Sequence, residues 1–132
     1  MIIPAYLPLT AYRNGYAKWD LTLIDSKTSD PLDLTDCSAD MQVRRQPGAS
    51  GDPFIDVNST TPTANGSIIT FTDPPNGKLS ILIHQLDLEP FPAVPPQGAQ
   101  FAYDLLITQT GYDPAPFVKG PFNFSDGVTV EA

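Results

Sequence analysis

Between Phe101 and Thr108 the chain alternates strictly: Phe101, Tyr103, Leu105 and Ile107 are separated by Ala102, Asp104, Leu106 and Thr108. A period of two sends the heavy apolar row to one face of an extended strand and rules against a helix, whose period is 3.6. After a break over Thr110 to Pro116 the rhythm resumes from Phe117 to Phe124, with Val118, Phe122 and Phe124 on one side and Lys119 and Asn123 on the other. The spacing predicts a hairpin. Two strands alone are marginal in water, so further strands must cover their apolar face.

The rest of the chain supplies them. Asn14-Gly15 marks a turn before Ala17, Trp19, Leu21 and Leu23, which alternate with Lys18, Asp20 and Thr22. Ala39, Met41 and Val43 point one way and Asp40, Gln42 and Arg44 the other. Gln46 to Pro53 is a loop, Phe54 to Val57 a short strand, and Asn65-Gly66 opens a strand over Ser67 to Thr72. Asp73 to Gly77 then turns the chain into Lys78 to Ile83, whose Leu79, Ile81 and Ile83 point inward. His84 to Leu88 has room for one helical turn before Pro90. Fifteen prolines and nine glycines leave little space for anything longer, because proline breaks the helical ladder. The pattern predicts one all-β domain of about seven strands over residues 15–132, preceded by an arm over residues 1–14. No segment repeats at a fixed period.

Charge and chemistry narrow the function. Fifteen acidic residues against seven basic give a formal charge of −8, which opposes phosphate backbones and anionic membranes. Lys18, Lys27, Arg44, Arg45, Lys78 and Lys119 form no basic stripe, so neither nucleic acid nor membrane is expected as a partner. No basic leader precedes the apolar start, Pro4 and Pro8 interrupt it, and no segment reaches the length of a membrane span. The lone Cys37 has no disulfide partner and reads as a small, partly buried residue, which fits synthesis in a cytoplasm. His84 sits at a strand end with no recognisable catalytic partner, and a hydrolase would need it beside a carboxylate or hydroxyl in a cleft. Asp30, Asp33, Asp36 and Asp40 lack the glycine turn and closing glutamate of a calcium loop. The expectation is a binding or structural domain with no catalytic residue, metal or cofactor. Trp19 sits inside a strand alternation and reads as core rather than as a sugar-stacking platform.

Two stretches stand out as contact elements. Ile2, Ile3, Tyr6, Leu7 and Leu9 are apolar, while Pro4 and Pro8 disfavour a place in a sheet interior. The segment either leans on the edge of its own domain or docks on a neighbour, and we take it as an assembly arm. Glu89 to Pro96 is too proline-rich for regular structure. It is either a crossing loop between sheets or a docking strap anchored by Phe91 and Val94.

The order of blocks carries a resemblance. Pro31-Leu32-Asp33-Leu34-Thr35 followed by Ala39 to Arg44, then Asn65 to Ile69, Gly77 to Ile81, Tyr103-Asp104-Leu105, Lys119-Gly120 and Val128-Thr129 resemble small virion proteins of tailed phages. They are similar to N-terminal domains of baseplate upper-type proteins and to stand-alone tail or neck proteins, over about Ala17 to Val130. The resemblance implies an immunoglobulin-like antiparallel β-sandwich in the virion that assembles with other virion proteins and copies of itself. The rival from another class is a capsid-decorating or carbohydrate-binding module. A ring of exposed aromatics would favour that rival, and an apolar strip along the N-terminus would favour assembly.

Overall fold

The computed structural model describes residues 5–25 and 27–127. Among the described residues nine strands follow one another: β1 (Ala5–Tyr6), β2 (Leu9–Tyr12), β3 (Ala17–Thr22), β4 (Cys37–Arg44), β5 (Ile55–Asn58), β6 (Ile68–Asp73), β7 (Lys78–Ile83), β8 (Ala99–Gln109) and β9 (Ala115–Ser125). A four-residue helix, α1 (Gln85–Leu88), follows β7. β8 and β9 are the hairpin read from the alternation, with Phe101 opposite Phe122 and Leu105 opposite Val118.

The strands form two sheets. The long one runs β1-β9-β8-β4-β5, with β2 also paired to β9, and the short one runs β3-β7-β6. In chain order β3, β4, β6, β7, β8 and β9 take the places of strands B, C, D, E, F and G of an immunoglobulin sandwich, where B, E and D face C, F and G. β5 extends the long sheet beside β4, and β1 and β2 run parallel to β9 as its outermost strand. The protein is therefore an immunoglobulin-like β-sandwich, defined by this strand order.

Facing rows fill the space between the sheets. Met41, Val43, Val57, Leu105, Phe122 and Phe124 come from the long sheet, and Ile69, Leu79, Ile81 and Ile83 from the short one; all are almost fully buried. Trp19 and Leu21 are only partly buried, because β3 is an edge strand with β7 as its sole neighbour. Trp19 still packs edge-on against Phe122, ring centres 6.0 Å apart, so it is core rather than platform.

Residues 5–12 depart from a free arm. β1 and β2 occupy the edge of the long sheet, and Leu9 and Ala11 are core residues at 3% and 1% exposure. Pro8 is tolerated because it falls in the break between the two short strands and no ladder bond is asked of it. At that break the chain presses on β9 at Gly120, where any Cβ would collide with the Leu7 carbonyl. The same carbonyl accepts a 2.5 Å hydrogen bond from the Tyr103 hydroxyl, and the Leu7 amide donates to the Lys119 carbonyl at 2.9 Å. Burial pushes the Tyr103 phenol far above its ordinary pKa, so it stays a donor.

Candidate functional site

The described residues among those expected to make protein contacts do not gather. Tyr6 is exposed at 70%, Leu9 belongs to the core, and Leu7 and Val94 are half-buried against it. Ile2 and Ile3 lie outside the described residues. Phe91 is no external anchor: at 4% exposure it stacks on Phe124 at 4.5 Å and meets Phe101 edge-on at 5.3 Å. The proline-rich stretch is thus a crossing between β7 of the short sheet and β8 of the long one, and it drops an aromatic ring into the open end of the sandwich. Its keeper is Arg13, which spacing did not single out. That guanidinium donates to the carbonyls of Glu89, Phe91 and Pro92 at 2.7 to 2.8 Å and pairs with Asp126 at 2.6 Å. It also lies over the Phe124 ring, 4.9 Å from its centre. A single arginine after a strand leaves no periodic trace, so only the folded chain reveals this role.

The polar constellations split in the same way. Asp33 accepts from the Thr35 amide at 3.0 Å, and Asp40 lies on β4. Among the described residues no three His, Cys, Asp or Glu side chains come close enough to hold a metal ion. Cys37 is half-buried, and burial first, then the charges of Asp33 and Asp36, push its thiol up, which disfavours the reactive thiolate.

His84 has company that the sequence did not predict. It precedes α1, its backbone amide donates to the Ser67 hydroxyl at 2.8 Å, and that hydroxyl in turn donates to Asp87. Thr63 and Asn65 also donate to Asp87, at 2.6 and 2.7 Å. Ser67 is fully buried. A nucleophilic serine needs a base to take its proton, whereas here the proton is already committed to a carboxylate at a site closed to substrate. The cluster staples the 63–67 turn onto α1. Burial alone would raise the Asp87 pKa, but the bonds from Ser67, Thr63 and Asn65, with the His84 charge, outweigh it and hold the carboxyl below 3.8. A folded-state value below the unfolded one contributes stability that is complete above the unfolded value and is lost as pH falls through the folded one. Asp87→Asn presents one acceptor oxygen to three donors and should cost about 1 to 3 kcal/mol at neutral pH. Urea unfolding should show the gap between parent and variant closing below pH 3.8.

A broad surface feature with mixed chemistry is the outer face of the long sheet. A groove of about 760 Å³ crosses it, lined among others by Tyr6, Gln42, Leu106 and Pro121. Strand register sets one straight row across five strands: Tyr6 beside Lys119, Lys119 beside Asp104, Asp104 beside Gln42, and Gln42 beside Asp56. On the next row Asp40 faces Leu106. Arg44 is engaged locally, donating to the carbonyls of Ala49 and Gly51 in the β4–β5 loop and to Gln42 Oε1 at 3.0 Å. Burial raises the Asp104 pKa, with Arg44 opposing it in part. Asp40 is raised by burial, then by the charge of Asp56 and a hydrogen bond with it. This face therefore carries Asp104, Asp40 and Asp56 on two adjacent rows, with Lys119 beside Asp104 at one end.

The sequence matches no family model and no curated protein. Among solved structures it is similar to Tim-1, with a TM-score of 0.43 and 7% identity over 98% of this chain and 100% of that one. So slight a likeness bears on neither fold nor function.

Proposed function

We propose that this protein is a structural component of a tailed-phage particle, in its tail, baseplate or neck, where it binds other virion proteins and does not catalyse a reaction. The observation that carries this is the ordered set of resemblance blocks. Within one sandwich, Ala39 to Arg44 makes up most of β4, Ile68-Ile69 opens β6, Gly77 to Ile81 enters β7, and Tyr103 to Leu105 lies mid-β8. Val128-Thr129 falls outside the described residues. An assembly role also fits the broad polar and apolar outer face of the long sheet.

The decorating or carbohydrate-binding alternative calls for clustered exposed aromatics. Tyr6, Tyr12, Tyr16 and Tyr112 are all more than half exposed, but they do not share one place. Tyr12 sits beside Ser125 at the end of β9, while Tyr112 lies in the turn before β9 begins.

The test is to purify particles of a phage that encodes the chain, detect it by mass spectrometry, and locate it in a map of the intact particle. A symmetric ring of copies at tail, baseplate or neck is the expected result. Absence from washed particles overturns the proposal, and density on the capsid shell transfers it to the decorating alternative.

A further inference from the structure

We propose that the outer face of the long sheet pairs with the same face of a second copy of this chain, about a two-fold axis that runs along the strands between β8 and β4. Lys119 lies on β9 and has no carboxylate within 4 Å among the described residues. Asp56 lies three strands away on β5, at about 14 Å for strands about 4.8 Å apart, and it crowds Asp40. A face with an unpaired cation on one side of its midline and crowded anions on the other is complementary to its own image.

The register makes the match specific. A two-fold axis along the strands exchanges β9 with β5 of the other copy and β8 with β4. Lys119 then stands over the second copy's Asp56, and Asp104 over its Gln42, each contact occurring twice, as an isologous interface requires. An axis across the strands would instead put Lys119 over Lys119. Ala102, Leu106 and Pro121 supply apolar area around this polar row. Aligned packing of two sheet faces is a standard arrangement.

The magnitudes indicate a weak dimer. Five strands span roughly 20 Å across, a patch at the small end of specific interfaces, and the −8 charge of each copy opposes association. Pairing is therefore expected at high local concentration, such as an assembled particle provides. The inference stands on this sheet face alone, so its failure in solution would leave the particle reading to its own test.

Sedimentation equilibrium of the intact chain, from about 10 μM to about 1 mM, reads the result directly. The parent should show a reversible monomer–dimer equilibrium. Lys119→Glu and Asp56→Lys should each weaken it at least about tenfold, since each places like charges face to face. The double variant carrying both should recover most of the loss, because the exchanged charges again meet across the axis. Both positions are on the sheet's outer face, and circular dichroism confirms that each variant folds. A parent that stays monomeric at about 1 mM overturns the proposal. So does a double variant no better than the singles, or a monomeric parent that binds an oligolysine peptide through Asp56, which would assign the face to a basic foreign partner.

Discussion

A chain lacking residues 1–12 is expected to unfold on the order of 10 °C or more below the parent, not at the same temperature. Deletion strips Leu9 and Ala11 from the core and exposes the pairing edge of β9. It also leaves the Tyr103 hydroxyl, which now donates to Leu7, without its acceptor. Loss of a buried leucine side chain alone costs about 2 to 5 kcal/mol, and the unmade hydrogen bonds add about 1 kcal/mol each. Calorimetry or a thermal melt followed by circular dichroism measures the shift. A melting temperature within about 2 °C of the parent would return the segment to the status of a detachable arm.

Phe91→Ala should cost about 3 to 5 kcal/mol, the range for removing a buried aromatic ring. The ring lies among Phe54, Phe101, Phe122 and Phe124, with centres 4.5 to 5.8 Å away. No neighbouring side chain replaces it, because the stretch that carries it is irregular and is held by Arg13. Val94→Ala, three residues on and only partly buried, should cost less than about 1.5 kcal/mol, as one lost pair of methyl groups at a half-exposed site does. Denaturant midpoints of the two variants separate the cases. If Val94→Ala proves the more damaging, the stretch is anchored at its far end and the aromatic cluster is incidental.

Much of the fold is legible in the sequence. The alternations at Ala17 to Thr22, Ala39 to Arg44, Lys78 to Ile83 and Phe101 to Ile107 are strands. The inward rows are buried as their parity requires, save Trp19 and Leu21 on the edge strand β3, which are half-buried, and Asn65-Gly66 and Asp73 to Gly77 turn the chain where expected. At Gly77 a positive φ of 71° and the nearby Leu23 carbonyl leave room only for glycine. Local rules suffice there, because a strand's face assignment depends on nothing farther than two residues away.

The N-terminal segment, the proline-rich crossing and the groups on the long sheet's outer face lay beyond local rules. In the first case the prolines disfavour a sheet interior but leave open whether the segment lies on its own domain's edge or on a neighbour, and the structure places residues 5–12 on the edge, with the break between β1 and β2 at Pro8. In the second, Phe91 and Val94 are equivalent in a proline-rich, irregular context, and only the gap at the end of the sandwich distinguishes the ring that enters from the valine that does not. Arg13 shows the same limit: its carbonyl partners at Glu89, Phe91 and Pro92 are 76 to 79 residues away.

The sequence by itself determined which segments are strands, which side of each faces the core, and that little room is left for an ordinary helix, since these follow from side-chain period and from proline and glycine limits. Tertiary structure decided which strands are neighbours, and so which residues meet. The row Tyr6, Lys119, Asp104, Gln42 and Asp56 comes from five strands scattered through the chain. It exists only because hydrogen-bonded register brings together residues that no local rule relates.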